Sequence, residues 1–278
     1  PLLPRWDALA RTDGKKWVQI QEVLDCNWLQ PMENSVDSSH AFFLHFINAG
    51  KGALEQNPYQ EKHEFTRFAY GIIKRRITPG KKPGDPQLTA DHPLVFPTIL
   101  RNLKPAGRNE DGSYNFRHYI EIRVPLDDTH TRIYRVNFIP SKTNAIALSG
   151  ETQDRYQPLP VPEGDFSPDQ DPPFEYRPLK TPDGEFLMDI TPAQDAMAWE
   201  TQGPITDRTQ ENLGAADRGI AMFRKMLREQ IEIVRKGGDP IGVIRDPAQD
   251  RIIELDATNE RFGLYSAEKR ASLASKTA

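Results

Sequence analysis

The chain has very little cysteine: Cys26 is the single one among 278 residues. One cysteine can form neither an internal disulfide nor a multi-cysteine metal cluster. This scarcity fits a reducing compartment and predicts a cytoplasmic location. Because Cys26 lies in an apolar-rich stretch, we interpret it as a small buried hydrophobic residue rather than a reactive thiol.

The sequence also lacks long apolar runs and an excess of basic charge. No apolar run reaches the roughly 18 residues of a candidate membrane helix, and the mean hydropathy is −0.66, so we predict no membrane span. With 36 basic and 40 acidic residues and no basic block, nucleic acid is not an expected partner. The chain opens on Pro1 without a charged-then-apolar leader, which we interpret as a fragment or a processed product.

Apolar residues recur at helical spacing from Trp17 to about Asn48. Pro31 interrupts this pattern, and a second helix is predicted from near Asn34 to the glycine at position 50. The first part carries its apolar positions at three- and four-residue spacings, namely Val18, Ile20, Val23, Leu24, Trp28 and Leu29.

Strand patterns follow between residues 65 and 138. We predict strands at 68–73, 93–96, 119–124 and 131–138, with residues 126–130 as the polar connection of a hairpin. Period-two alternation is clearest in the last pair, which predicts an antiparallel sheet with one buried face. In the third strand the alternating sets are Ile120, Ile122 and Val124 against Tyr119, Glu121 and Arg123.

Residues 157–183 contain eight prolines, which deny the backbone helix and ladder hydrogen bonds and predict a long loop. The loop is either a domain linker or a surface crossover or arm onto a neighbouring subunit, and we favour the second. Helices are then predicted at 191–200 and 215–236. The longer one should bury Ile220, Phe223, Leu227, Ile231 and Val234. The tail from 256 onward is predicted to be frayed or used in subunit contacts.

The strongest functional signal is the segment that holds Asn34, Asp37, His40 and His45, in a chain with only six histidines. Two imidazoles joined by one distant carboxylate form the arrangement that holds Fe(II) and leaves positions open for oxygen. Residues five apart on an ideal helix differ by about 140° in direction, so a π-bulge would be needed to bring the two rings together. On spacing alone, two partly buried, hydrogen-bonded histidines without a metal are the favoured interpretation. His63 and His130 are expected to be solvated.

Residues 27–30, Glu33, Asn34, Asp37, His40 and His45 resemble the iron-binding helix of Rieske non-haem iron oxygenases. The resemblance is to the phthalate dioxygenase and aryl-ether O-demethylase branch, whose pattern of Asp, two residues, His, four residues and His is matched without a gap. Downstream, Asp195 followed five residues later by Glu200 resembles the family's third-ligand motif. Segments 124–131, 202–208, 211–214 and 217–218 are also similar, so the resemblance covers nearly the whole chain.

The resemblance implies an α+β helix-grip (START/Bet v 1-like) fold, with a curved antiparallel sheet around a long helix. Residues 1–278 would form one mononuclear iron catalytic domain. His40, His45 and Asp195 would bind Fe(II), and Asp37 would be the inter-subunit electron-transfer bridge to a Rieske cluster in the adjacent subunit. Asn34 and Glu200 would either support the ligands or cap and pair locally.

The implied function is that of a terminal oxygenase component using O2 and electrons from NAD(P)H. It would hydroxylate an aromatic compound or O-demethylate an aryl methyl ether, with an aromatic acid as the expected substrate. A reductase or ferredoxin would supply electrons, and a homotrimer or stacked trimers would bring the centres of neighbouring subunits together. The [2Fe–2S] cluster needs two cysteines, so it is expected in an N-terminal Rieske domain outside this chain.

Two other functions fit part of the pattern. A metal-free helix-grip protein would bind a small molecule in the same cavity, and a zinc hydrolase would use the same two histidines and carboxylate. The substrate-contacting residues are not predicted, although strand arginines could pair with a carboxylate, the candidates being Arg67, Arg123, Arg132 and Arg135.

Overall fold

The computed structural model describes residues 1–37, 39–45, 62–80, 84–108, 114–141, 174–255, 257–260 and 263–265. In chain order the strands are β1 (Arg5–Trp6), β2 (Gly14–Leu24), β3 (Lys62–Phe68), β4 (Gly71–Thr78), β5 (Leu88–Val95), β6 (Ile99–Arg108), β7 (Tyr114–Pro125), β8 (Thr131–Pro140), β9 (Phe174–Arg177) and β10 (Ile252–Ile253). The helices are α1 (Asp7–Ala10), α2 (Leu29–Val36), α3 (His40–Phe43), α4 (Thr191–Glu200) and α5 (Arg218–Arg235).

The larger sheet has eight strands in the order β3-β4-β5-β6-β7-β8-β2-β9. Neighbouring strands are antiparallel except β2 and β9, which run parallel. The predicted hairpin between β7 and β8 is confirmed, since the N–H of Leu126 donates to the carbonyl of His130 at 2.9 Å. Strands β1 and β10 form a separate parallel pair.

The helix predicted from Trp17 is wrong, because β2 occupies residues 14–24 and pairs with β8 and β9. The consecutive β2 residues Trp17, Val18 and Gln19 are all buried, so apolar residues do not have to alternate along this strand. The register with β8 also shifts between Ile20 and Val23. Burial on both faces and this irregularity together produce three- and four-residue spacings that resemble a helix.

The next helix begins earlier than predicted and ends earlier. Helix α2 starts at Leu29 and accepts Pro31 in its first turn, where a missing N–H breaks no helical hydrogen bond. It stops at Val36, and Asp37 adopts an extended backbone before α3 begins at His40. The predicted continuation to residue 50 lies outside the described residues beyond position 45.

The predicted strands at 68–73 and 93–96 are only partly right. Residues 69 and 70 form the turn between β3 and β4, so the first prediction spans two strands. The second prediction is the end of a longer strand, β5. The first part of the proline-rich segment, residues 157–173, lies outside the described residues. Its later part contradicts the loop prediction, because the proline-free strand β9 pairs with Val18–Gln21.

Both faces of the large sheet are covered. On the outer face, β5, β7 and β8 pack against the chain's first residues and β10 through Val95, Ile120, Phe138, Trp6 and Ile253. On the inner face, Ile72 and Leu94 pack against helices α2 and α5. The prediction of one buried face is therefore wrong. The polar set of β7 is also buried, with exposed fractions of 4% for Tyr119, 7% for Glu121 and 1% for Arg123.

The helix predicted at 191–200 is confirmed as α4, although Ile190 rather than Thr191 is the residue that precedes its first turn. Helix α5 buries Phe223 and Met226 against α2 and the sheet, each burial being worth roughly 1.5–3 kcal/mol. The prediction for its C-terminal half is wrong. Ile231 and Val234 are 42% and 53% exposed, because this part of the helix extends past the core.

Helix α5 lies close to the end of α2 at Gly219. A Cβ added there would lie 2.5 Å from the carbonyl oxygen of Val36 and 2.4 Å from the Phe65 ring. Only glycine permits this contact without displacing the end of α2. Gly219 thus fixes the position at which α2 gives way to Asp37.

The tail is not frayed where the structure describes it. The backbone of Thr258 exchanges two hydrogen bonds with Asp91 of β5, and Leu264 is buried. The prediction for residues 266–278 falls outside the described residues. Across the described ranges, none of the helices has the length and apolar character that crossing a bilayer requires.

Candidate metal centre

The break between α2 and α3 positions Asp37 and His40. The carboxylate of Asp37 accepts a hydrogen bond of 2.7 Å from the N–H of Ser39, a local turn that competes with continuation of the helix. Lys74 of β4 donates to the carbonyl of Asp37 at 3.2 Å. The chain therefore turns at Asp37 and is held against the inner face of the sheet.

His40 begins α3 and His45 lies just beyond its end. Their rings meet edge to face, with centroids 5.5 Å apart and an interplanar angle of 86°. The π-bulge that we expected to be needed to bring the two rings together is absent from residues 39–45. The two imidazoles converge although their positions on an ideal helix would diverge.

Asp195 of α4 completes the group. One ligand atom from each of His40, His45 and Asp195 lies within 4.8 Å of the others, and Nε2 of His45 is 3.5 Å from Oδ1 of Asp195. Asp37 lies beside the group, with Oδ2 3.5 Å from Nδ1 of His40. The structure thus brings all four predicted site residues to one place.

Two buried atoms of this group have no hydrogen-bond partner among the described residues, Nδ1 of His40 and Oδ1 of Asp195. Nδ1 of His40 faces the Asp37 carboxylate. Oδ1 of Asp195 instead lies 3.5 Å from Nε2 of His45. Because buried polar atoms are nearly always paired, this unpartnered carboxylate oxygen fits a cation held by the triad. Nitrogen and oxygen donors of this type suit a divalent transition metal. The triad can therefore hold a metal ion.

Gln194 fixes the orientation of His45, and the sequence patterns did not single it out. Its Nε2 donates to the carbonyl of Met188 at 2.8 Å, which leaves Oε1 to accept from Nδ1 of His45 at 2.9 Å. With the proton on Nδ1, the lone pair of Nε2 points to the side where Asp195 lies. The one signal in the sequence is that Gln194 directly precedes Asp195.

Burial shapes the protonation of the group. It raises the pKa of Asp195 to about 6, helped by the charge of Glu121 and opposed by His40. Burial lowers the pKa of His45, which favours the neutral imidazole that binds metals. Burial also works to raise the pKa of Asp37. There the contact with His40 and the hydrogen bond from Ser39 outweigh it, and the pKa lies below its ordinary value.

Below the triad, the inner face of the sheet carries a buried ionic cluster. Glu121 accepts from Arg123 at 3.0 Å and from Nε of Arg135 at 2.6 Å. Burial works to raise the pKa of Glu121, but the two arginine charges outweigh it and lower the pKa to about 2. The carboxylate is thus a permanent charge that acts on Asp195.

The other predicted candidates lie elsewhere. Glu200 is paired with Lys180 at 2.6 Å, and Asn34 contributes its carbonyl to the N–H of Asp37. His130 is solvated as predicted, whereas His63 is partly buried. Cys26 is fully buried, and burial raises the pKa of its thiol to about 12, which confirms an unreactive residue.

Among the four strand arginines, Arg123 and Arg135 belong to the buried cluster below the triad. Arg67 instead pairs with Glu229 at the surface, at 2.8 Å. Arg132 alternates with Arg135 along β8 and so projects from the other face. The strand residues best placed to face the triad are therefore those that project from the inner face of the sheet.

The profile of one protein family, described as LigXa C-terminal domain like, matches residues 108–258. This match covers more than half of the chain and includes Asp195. The chain belongs to the LigXa C-terminal domain-like family.

Two curated relatives carry names that agree with this family. The 5,5'-dehydrodivanillate O-demethylase oxygenase subunit of Sphingobium sp. (strain NBRC 103272 / SYK-6) is 31% identical over 258 residues, covering 92% of this chain and 53% of the relative. The phthalate 4,5-dioxygenase oxygenase subunit of Pseudomonas putida is 27% identical over 259 residues, covering 84% of this chain and 55% of the relative. The chain spans about half the length of these relatives.

Solved structures show the same fold. The Pseudomonas putida CBB5 protein NdmA, determined with caffeine, superposes with a TM-score of 0.50 at 18% identity, over 91% of this chain and 63% of its own. NdmB from the same strain also gives 0.50, at 14% identity, over 85% of this chain and 56% of its own. The predicted α+β fold class and the resemblance to Rieske oxygenase catalytic domains are confirmed.

Proposed function

We propose that this chain is the mononuclear iron domain of a Rieske-type terminal oxygenase. It would use O2 and electrons from NAD(P)H to hydroxylate an aromatic compound or to O-demethylate an aryl methyl ether. The observation that carries the proposal is the convergence of His40, His45 and Asp195, in which a buried oxygen of Asp195 has no hydrogen-bond partner among the described residues. The names of the family relatives, all oxygenase subunits, support it.

In this proposal His40, His45 and Asp195 hold Fe(II). Iron held by two histidines and one carboxylate keeps positions open for dioxygen and supplies the oxidising chemistry. The protein's part is geometric: Gln194 keeps the proton of His45 on Nδ1, so that Nε2 is free to bind the metal. The side chains of His40, His45 and Asp195 are only 17–19% exposed, so the site is partly shielded from bulk water.

We further propose that Asp37 is the inter-subunit electron-transfer bridge. Its carboxylate contacts His40, its pKa is lowered, and it sits where the chain leaves α2. A carboxylate that stays ionised can accept a hydrogen bond from a ligand histidine on one side and from a neighbouring group on the other. This role requires a second subunit, so a homotrimer or stacked trimers are the expected assembly.

The remaining partners follow from the same proposal. The single cysteine of this chain cannot ligate a [2Fe–2S] cluster, and the relatives are about twice as long as the part matched. We therefore expect a Rieske domain to carry the cluster and a reductase or ferredoxin to reduce it. A metal-free binding protein would not explain why two histidines and a carboxylate converge. The relatives' names give no support to the alternative of a zinc hydrolase.

The reaction is tested by supplying the iron-loaded oxygenase with a reduced electron donor, O2 and a set of aryl methyl ethers and unsubstituted aromatic compounds. We expect formaldehyde from an ether or a new ring hydroxyl, formed only when O2 is present. Product that forms equally well under anaerobic conditions, as a hydrolase would give, would contradict the oxygenase proposal.

A further inference from the structure

A second group of charges lies on the same face of the sheet as the triad's ionic cluster. In an antiparallel sheet, residues directly opposite each other share a face. Glu121 is opposite Leu100, which is opposite Leu94, a residue that packs against α2 and α5. Because side chains alternate along a strand, Tyr119 and Arg117 share this inner face with Glu121.

Arg117 is a buried cation without an anion. Its exposed fraction is 4%, and within the described part of the chain it makes neither an ion pair nor a hydrogen bond. Its Nε in particular is buried and unpartnered. A guanidinium is always charged and is rarely buried unless it is paired, so this position calls for a negative partner.

A second cation stands directly opposite. Lys104 of β6 pairs in register with Arg117, and in the described ranges no carboxylate lies within ion-pair distance of its amine. Both cations lie near the ring of Tyr119, with Lys104 Nζ 5.8 Å and Arg117 Cζ 5.6 Å from its centroid. The nearby Arg135 is different, because Glu121 already neutralises it.

The protonation of the pair reflects this surplus of positive charge. Burial, with the charges of Arg135 and Arg117, lowers the pKa of Lys104 to about 8. Burial and the Arg135 charge lower the pKa of Arg117 to about 10. Both groups remain cations at neutral pH, in a place where Glu121, already paired with two arginines, and the more distant Asp195 are the negative charges that act on Lys104 among the described residues.

The pair also lies within electrostatic range of the metal centre. Lys104 is close enough for its charge to lower the pKa of His45, and Asp195 in turn acts on Lys104. A ligand held by the pair would extend along the inner face toward the triad. The aromatic ring of Tyr119 lies beside the two cations and offers an apolar surface next to them.

We propose that Lys104 and Arg117 form the binding site for a carboxylate of the aromatic substrate, so that the chain takes aromatic acids in preference to their neutral analogues. This inference rests on the proposed oxygenase function, since it places the anion beside the triad. It assigns substrate recognition to two residues that none of the sequence patterns singled out. The buried Arg123 and Arg135 keep the structural role of neutralising Glu121.

The experiment measures binding of 4-methoxybenzoate and 4-methoxybenzamide to the Fe(II)-reconstituted chain by anaerobic calorimetry. The two probes have nearly the same shape and differ in charge. We expect the carboxylate to bind at least about tenfold more tightly, because it can form charge-assisted hydrogen bonds with Lys104 and Arg117. Arg117→Gln and Lys104→Met should each remove most of this preference, and Arg117→Lys should retain part of it.

Arg67→Gln is the matched control, because it removes an arginine whose partner Glu229 is at the surface. It should leave the preference unchanged. Equal binding of the two probes to the unchanged, iron-loaded chain would overturn the inference, and this comparison needs no variant to fold. Iron content is measured in the same samples. A chain that prefers the carboxylate but holds no iron would contradict the oxygenase proposal and would still support the anion site.

Discussion

Asp37→Asn is expected to keep its iron and lose its turnover. Asparagine retains an oxygen that can accept from the N–H of Ser39, so the turn between α2 and α3 should persist. It loses the negative charge that faces His40. Replacing a partner of a metal-ligating histidine lowers activity by about 10- to 100-fold, and we expect the upper end because electron delivery is affected as well.

The measurement is iron content together with the rate of product formation, made with the full-length oxygenase that carries the Rieske domain and with a reduced electron donor. Asp207→Asn is the matched control. Asp207 also accepts from the N–H two residues further on, Thr209 at 3.0 Å, but it lies on an exposed turn. This variant should turn over normally. If Asp37→Asn lost iron and activity together, Asp37 would be a ligand or a structural residue rather than a bridge.

Gln194→Met is expected to weaken iron binding without unfolding the chain. Methionine fills a similar volume, which suits the buried position of Gln194. It cannot accept from Nδ1 of His45, so the ring is free to rotate and to place its proton on either nitrogen. Loss of such a support lowers metal affinity by about 10- to 100-fold. An anaerobic Fe(II) titration measures the change.

Gln202→Met is the control for this substitution. Gln202 lies just beyond α4, and its amide donates to the carbonyl of Ala198 at 2.8 Å on an exposed surface. The Fe(II) affinity of this variant should equal that of the unchanged chain. An unchanged affinity in Gln194→Met itself would show that the orientation of His45 is set by other contacts.

The sequence predicts best the elements whose pattern has one cause. Helix α4 has a proline at its start and the hairpin between β7 and β8 has a polar turn, and both lie where predicted. Strand β2 misleads because burial on both faces and a register shift disturb its alternation. The C-terminal half of α5 misleads in the opposite way, since Ile231 follows the apolar stripe yet has nothing from the core to pack against.

The candidate site could also be predicted only in part from the sequence. The motif supplies the residue types at 37, 40, 45 and 195, and the fold brings them together. Alternation in β7 shows that Glu121 and Arg123 share a face, but it cannot show that this face is buried beneath the helices. The contact between Gln194 and His45 joins residues 149 positions apart. No local pattern encodes such a contact, and the same holds for the pairing of Lys104 with Arg117 across two strands.

The central claim is that His40, His45 and Asp195 hold one iron ion. Its most direct test is anaerobic metal analysis, after reconstitution with Fe(II), of the unchanged chain beside His40→Ala and Asp195→Ala. We predict about one iron per chain in the first and loss of iron in both variants. Equal iron in all three would contradict the claim, and the two histidines would then be structural residues of a metal-free binding protein.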